Sequence, residues 1–200
     1  MSIFLLIRHG NNPAIGGRRI PGRMPGIHLN EEGKAQAEHL VERLAGVRID
    51  AVYSSPMERT LETAAPLARR LGLPIETSEE FTEVDVGDWS GMDLDQLTRE
   101  PLWRAYTLFR SGTRPPGGEL MIEVQKRMVS GLDGLRRKHP EQTVAVFSHA
   151  DPIKAALAYY AAIPADSMTR LEIGLASIST VSISDHGVKI LGINCTGNAV

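Results

Sequence analysis

The chain has 200 residues, with 22 lysines and arginines against 24 aspartates and glutamates, so its net charge is −2. A balance this close to zero argues against nucleic acid or an anionic membrane as the partner and favours a small molecule. The single cysteine, Cys195, excludes an intramolecular disulfide and a paired thiol site. No stretch has the character of a signal peptide or a membrane span, so we expect a cytoplasmic protein.

The length fits one α/β domain, which we expect to span residues 1–200. Apolar runs of strand length alternate with helical patterns, which predicts a three-layer sandwich with a mostly parallel central sheet flanked by helices. Residues 177–183 and 188–193 alternate around a short polar turn and predict a C-terminal antiparallel hairpin.

The first predicted strand ends in side chains suited to chemistry. Residues 3–7 form a continuous apolar run, and Arg8, His9 and Gly10 follow directly. Open α/β folds bind ligands at the carboxyl edge of the sheet, and a glycine there lets the backbone pass close to a bound group. A lone Arg-His pair after a strand is more often an exposed loop, so this interpretation needs support from elsewhere in the chain.

Residues 11–27 are rich in glycine and proline and predict a loop. Its arginines, Arg18, Arg19 and Arg23, could face the same pocket, although for each one singly we favour an exposed side chain. Asn30 then caps a predicted helix over residues 31–45.

A second strand over residues 49–53 leads into a second helix. Ser55 and Glu58 have the spacing of a capping box, which predicts that the helix starts at Ser55. Arg59 would then lie in the first turn, where free N–H groups and the helix dipole favour an anion. We expect Pro66 to kink or divide this helix.

The middle of the chain is less regular. A short strand near Ile75 precedes an acidic, glycine-punctuated loop over residues 81–91. Residues 93–110 predict a helix broken at Pro101, which could form a lid, although ordinary core packing is the simpler interpretation.

The pattern of the first strand then repeats. A helix over residues 119–138 precedes a buried strand over 143–147, and His149 follows that strand. We interpret Asp151 as the N-cap of the next helix, over residues 152–162.

Three elements therefore each bring a cation or an imidazole to a strand end or a helix start: Arg8 with His9, Arg59, and His149. Such convergence suits a phosphoryl group, because its transfer depends on positioning and on stabilising the charge of its oxygens.

These motifs resemble those of the histidine phosphatase superfamily, also called phosphoglycerate mutase-like. Arg8-His9-Gly10 matches the signature tripeptide, residues 54–64 match the second block, and residues 83–87 and Ser148-His149 match the remaining two. Four blocks in order, over nearly the whole chain, are far more specific than any one of them.

The resemblance implies a role for each matched residue. His9 would be the nucleophile that becomes phosphorylated, while Arg8, Arg59 and His149 would bind phosphoryl oxygens. Glu83 would protonate the leaving oxygen and then activate water. The partner would be a small phosphorylated substrate, no metal or cofactor is implied, and a homodimer stays open.

The chain departs from the family pattern at two places. The family's phosphate-binding asparagine corresponds to Ile15 here, so Asn12 could take that role. After His149 the family normally has glycines, whereas Ala150 and Asp151 follow here. Ala150 keeps an N–H that can bind phosphate, but Asp151 would repel an anion unless its carboxylate caps the helix.

We predict a metal-independent phosphomonoesterase that acts through phosphorylated His9. The first alternative is a phosphoglycerate mutase, although mutases of this family resemble longer chains with an extra segment after the acidic block. The second is a non-catalytic module that binds a phosphorylated ligand, against which the four intact blocks argue.

Overall fold

A computed structural model describes residues 1–197 of the chain. Six strands form one sheet, in the order β3-β2-β4-β1-β5-β6. They are β1 (Ser2–Arg8), β2 (Ala51–Ser54), β3 (Ile75–Thr77), β4 (Thr143–Ser148), β5 (Ile178–Ser184) and β6 (Gly187–Cys195). The first four pair in parallel, whereas β5 runs antiparallel to both β1 and β6. The mostly parallel sheet and the C-terminal hairpin are confirmed.

The helices are α1 (Glu31–Arg43), α2 (Glu58–Leu71), α3 (Leu94–Leu97), α4 (Pro101–Leu108), α5 (Met121–Lys138) and α6 (Ala150–Tyr160). Short 3₁₀ helices cover Glu79–Phe81, Gly87–Trp89 and Ala165–Arg170. Asn30 caps α1 as predicted, since its side chain accepts a hydrogen bond from the N–H of Gly33 at 2.9 Å. Over residues 1–197, every helix is too short or too polar to span a membrane.

The two faces of the sheet are covered by different helices. Along β1, Phe4 and Leu6 pack with α5 and α6, while Leu5 and Ile7 pack with α1 and α2. Successive side chains of a strand point to opposite faces, so one continuous apolar run supplies both cores. This arrangement confirms the three-layer sandwich.

A third hydrophobic cluster lies beside the main sheet. The ring of Trp89 is 5.3 Å from that of Trp103 and 5.4 Å from that of Tyr106. Leu102 and Phe109, by contrast, are 41% and 55% exposed. The apolar residues of the segment around α4 are therefore divided between core and surface. The segment is broken before Pro101, where α4 begins, as predicted.

The start of α2 differs from the sequence prediction. The helix begins at Glu58 with Met57 as its N-cap, and no side chain caps it. The carboxylate of Glu58 instead accepts a hydrogen bond from the N–H of Gly26 at 2.9 Å, so the predicted capping box is wrong. The helix also continues through Pro66 without division.

Two glycines allow the end of β1 to cross the start of α1. A Cβ atom on Gly10 would lie 2.8 Å from the carbonyl oxygen of Gly33, and one on Gly33 would overlap the carbonyl of Asn11. Backbone atoms cannot move aside as a flexible side chain can, so both positions require glycine. This crossing fixes the main chain immediately after His9.

We expect Gly33→Ala to destabilise the protein by about 1–3 kcal/mol because the added methyl group overlaps main-chain atoms. Gly134→Ala is the matched control, since Gly134 also lies within a helix and its added Cβ would meet nothing within 4 Å. There alanine is expected to raise stability by up to about 1 kcal/mol. Urea unfolding measures both, and equal effects would contradict the crossing constraint.

Candidate active site

The register of the parallel strands brings the predicted motifs together. Arg8 at the end of β1 lies opposite Ser148 at the end of β4. The residues that follow, His9 and His149, have ring centroids 5.2 Å apart. On the other side of β4, the N–H of Ser55 donates to the carbonyl of Phe147 at 2.9 Å. The ends of β1, β2 and β4 therefore meet at one edge of the sheet. The sequence predicted this for β1 and β4, the strands that precede His9 and His149.

His9 is held as a neutral imidazole with one free nitrogen. Its side chain is buried, and Nδ1 lies 2.8 Å from the carbonyl oxygen of Gly10. A carbonyl only accepts hydrogen bonds, so Nδ1 carries the proton and Nε2 keeps its lone pair. The pKa of His9 is lowered to about 3, mainly by burial and to a smaller extent by the charges of Arg59 and Arg8, while the hydrogen bond to Gly10 opposes the change. Such an imidazole can act as a nucleophile.

Asn12 lies beside this ring. Its side chain is 2% exposed, and its Nδ2 is 3.4 Å from Nδ1 of His9. Since that nitrogen already donates to Gly10, the contact is one of packing. The side-chain oxygen of Asn12 accepts from the N–H of Ala14 at 3.0 Å, so the amide group is fixed at the wall of the cavity.

Two arginines that line this region each have a buried donor without a partner among the described residues. Arg8 donates to the carbonyl of Ile173 at 2.7 Å, and Arg59 donates to the carbonyl of Gly22 at 3.1 Å. Within residues 1–197, neither forms an ion pair with a carboxylate, and buried Nε of Arg8 and Nη1 of Arg59 have no hydrogen-bond partner. Burial also lowers the pKa of both groups. An anion would satisfy these donors.

His149 completes the edge. It is fully buried, and its Nε2 lies 3.0 Å from the hydroxyl of Ser55. Its Nδ1 has no hydrogen-bond partner among the described residues and lies 3.6 Å from the carboxylate of Glu83. Burial, followed by the neighbouring charges of His9 and Arg59, lowers the pKa of His149 well below its usual value. Sequence reasoning assigned Ser55 to a helix cap and missed this contact.

Glu83 faces the same cavity from the irregular segment that follows the first 3₁₀ helix. Its side chain is 19% exposed and accepts a hydrogen bond from the N–H of Val84 at 2.9 Å. The pKa of Glu83 is raised to about 6, mainly by burial and then by the charge of Asp151, while the charge of Arg59 opposes the change. A carboxyl group with this pKa can both donate and accept a proton near neutral pH.

Asp151 does not cap a helix, so that prediction is wrong. Helix α6 begins at Ala150 with His149 as its N-cap, and no side chain caps it. The Asp151 carboxylate instead pairs with Arg110 at 2.6 Å, and Arg110 stacks over the ring of Tyr106 at 4.9 Å. The repulsion that this carboxylate would exert on an anion is thus compensated by an arginine that the sequence did not reveal.

The cavity bounded by these groups has a volume of about 460 Å³. Its lining includes all of the predicted site residues except the fully buried His149: Arg8, His9, Asn12, Arg59, Glu83 and Ala150. Asp151 also lines it. Ala150 is the first residue of α6, where an N–H has no partner within the helix.

The three loop arginines have different environments. Arg19 lines the cavity, whereas Arg18 is exposed and pairs with Asp95. Arg23 donates to the main-chain carbonyl of Glu83 at 2.7 Å. Arg18 is therefore exposed as expected, Arg19 is exposed but also lines the cavity, and Arg23 is part of the structure around Glu83. Within residues 1–197, no three His, Cys, Asp or Glu side chains cluster as metal ligands.

Comparison with known proteins places this geometry in a family. Phosphoserine phosphatase 1 of Hydrogenobacter thermophilus is 30% identical over 96% of this chain and 92% of its own length. The bifunctional protein Rv2228c of Mycobacterium tuberculosis is 34% identical over 96% of this chain, which spans 54% of that protein.

Among solved structures, YhfR of Bacillus stearothermophilus superposes with a TM-score of 0.93 at 24% identity, over 99% of each chain, and so shares the fold. The family model of the histidine phosphatase superfamily (branch 1) matches residues 4–196. The resemblance seen in the sequence motifs is thereby confirmed, and the chain belongs to the histidine phosphatase superfamily.

Proposed function

We propose that the chain is a phosphomonoesterase that hydrolyses a small phosphorylated metabolite through a phosphohistidine at His9. One observation carries the proposal: a neutral imidazole lies beside two arginines, each with one buried donor that lacks an acceptor among the described residues. Membership of the family and the phosphoserine phosphatase among the relatives support a phosphate ester as the substrate.

In the first step, the lone pair of His9 Nε2 attacks the phosphorus atom, and the bond from phosphorus to the ester oxygen breaks. Glu83 donates its proton to the departing oxygen, so that an alcohol leaves. A P–N bond replaces a P–O bond, and the phosphoryl group stays on the protein.

Several groups would hold the phosphoryl oxygens during this step. Arg8 and Arg59 provide unpaired charged donors, and a proton on Nδ1 of the neutral His149 ring would provide an uncharged one. The N–H of Ala150 and the side-chain amide of Asn12 are the other neutral candidates. Their positions are fixed before a ligand binds, which lowers the cost of stabilising the charge in the transition state.

In the second step, the Glu83 carboxylate accepts a proton from water, and the water oxygen attacks phosphorus. The P–N bond breaks, orthophosphate leaves and His9 regains its lone pair. The proton that Glu83 lost in the first step is thereby restored. A pKa of about 6 supports both forms of this carboxyl group near neutral pH.

His9→Ala is expected to keep less than about one per cent of the wild-type turnover, because the covalent route is closed. His39→Ala is the matched control, since His39 is an exposed residue of α1. Both are assayed in EDTA by release of orthophosphate and by ³²P retained on the protein. Label retained in His9→Ala would place the nucleophile elsewhere, and an isomerised substrate without orthophosphate would indicate a mutase.

Glu83→Gln is expected to slow single-turnover phosphorylation of His9 by about two orders of magnitude with an alkyl phosphate and only slightly with p-nitrophenyl phosphate. The reason is that a nitrophenolate leaves without a proton. In the wild type, the alkyl reaction should fall as pH rises through about 6, because the protonated form of Glu83 is lost. Glu80→Gln, in the same acidic segment, is the control. Equal slowing with both substrates would remove Glu83 from the acid role.

Arg110→Met is expected to raise the KM for a phosphomonoester and the inhibition constant of vanadate by about tenfold or more, because the Asp151 carboxylate loses its counter-ion beside the anion site. The double variant with Asp151→Asn should recover most of the loss, since the repelling charge is gone. If Asp151→Asn gives no recovery, the weaker binding in Arg110→Met does not come from the charge of the Asp151 carboxylate.

A further inference from the structure

Outside the proposed catalytic groups, a half-buried carboxylate joins two arginines next to Glu83. Oε1 of Glu119 accepts hydrogen bonds from Arg23 Nη2 and Arg127 Nη2, both at 2.8 Å, and Oε2 accepts from Arg127 Nε at 3.1 Å. Oε1 also accepts from the N–H of Asp85 at 2.9 Å. We call Arg23, Glu119 and Arg127 the Glu83 clamp.

The clamp binds the main chain at and before Glu83. Arg127 Nη1 donates to the carbonyls of Glu80 at 2.8 Å and Thr82 at 2.7 Å, and its Nη2 donates to the carbonyl of Glu83 at 3.1 Å. Together with the two bonds to Glu119, these contacts use all five N–H groups of the guanidinium. Arg23 Nε donates to the same Glu83 carbonyl at 2.7 Å.

Thr82 and Val84, on either side of Glu83, are buried, but among the described residues the carbonyl of Glu83 accepts hydrogen bonds only from the clamp. Glu83 lies between two short 3₁₀ helices, outside the sheet and the long helices, and its side chain bonds only to the N–H of Val84 among the described residues. The direction of its Cα–Cβ bond therefore depends on how its carbonyl is held. A planar guanidinium can bind several carbonyls in fixed relative positions, which a lysine cannot do.

The clamp also connects Glu83 to the anion site. Arg23 follows Gly22, whose carbonyl accepts from Arg59 at 3.1 Å. Two successive residues of one loop thus contact an anion-binding arginine and the main chain of the proposed acid. A Cβ on Gly22 would lie 2.8 Å from Val86, so this loop is also packed closely against the segment after Glu83.

We propose that Arg23, Glu119 and Arg127 are positioning residues that direct the Glu83 carboxyl group at the leaving oxygen of the substrate. The inference rests on the proposed role of Glu83 as the acid. A displacement of about 1 Å can cost about a hundredfold in rate, so loosening the main chain at Glu83 should act on proton donation in particular.

The test compares two substrates in single-turnover phosphorylation of His9. Arg127→Met and Glu119→Gln are expected to slow the reaction of an alkyl phosphate by about tenfold or more and that of p-nitrophenyl phosphate by less than about threefold. Arg136→Met is the matched control, because Arg136 lies on the same helix and pairs with Asp133 and Asp185, away from Glu83.

A double-mutant cycle separates positioning from a general loss of structure. In the Glu83→Gln background, Arg127→Met is expected to add no further selectivity between the substrates, since there is no acid left to position. An additive effect, or equal slowing of both substrates in the single variants, would overturn the proposal.

Further comparisons separate the possible outcomes. If Arg127→Met lowers the melting temperature below the assay range, Glu119→Gln decides, because it keeps the side-chain volume and an acceptor for the Asp85 N–H. If Glu83→Gln alone fails to distinguish the substrates, the acid role fails and the clamp proposal falls with it. If Glu83→Gln distinguishes the two substrates but the clamp variants do not, the positioning proposal is wrong and the acid role of Glu83 stands.

Discussion

The parallel pairing of β1 with β4 is the constraint on which the site depends. It places Arg8 opposite Ser148, so the residues after each strand, His9 and His149, become neighbours although 139 residues separate the two strand ends. A shift of the register by one residue would exchange the two faces of a strand, and both cores oppose that exchange. The hydrophobic packing of the sheet therefore also sets the geometry of the polar edge.

A second feature of the site is that its cations are held by main-chain carbonyls. Arg8 and Arg59 are each anchored on a carbonyl oxygen, which orients the guanidinium without neutralising it. Elsewhere, as at Arg110, an arginine is paired with a carboxylate. At Arg8 and Arg59 the carbonyl leaves the positive charge without a paired carboxylate among the described residues, and both arginines also line the cavity.

Local sequence patterns predicted much of the fold and most of the residues that the structure brings together around the cavity, because strand ends, caps and glycine turns depend on neighbours in the chain. The errors arose where a distant partner decided the outcome. Ser55 and Glu58 satisfy the spacing of a capping box, but the Ser55 hydroxyl contacts His149, 94 positions away. Asp151 could have capped α6, but it pairs with Arg110, 41 positions away. His149 was recognised from its own motif, but nothing in either segment marks it as the partner of Ser55. Arg110 and the clamp residues have no signature in their own segments.

Arg8 and Arg59 also affect how a phosphatase with this site would work in a solution that contains both a phosphate ester and orthophosphate. Unpaired buried charge gains free energy from any tetrahedral oxyanion of the right size, and orthophosphate presents the same oxygens as its esters. Product would then compete with substrate for the same donors. Net hydrolysis would follow the ratio of ester to orthophosphate in the solution, which makes the protein responsive to phosphate supply without a separate regulatory site.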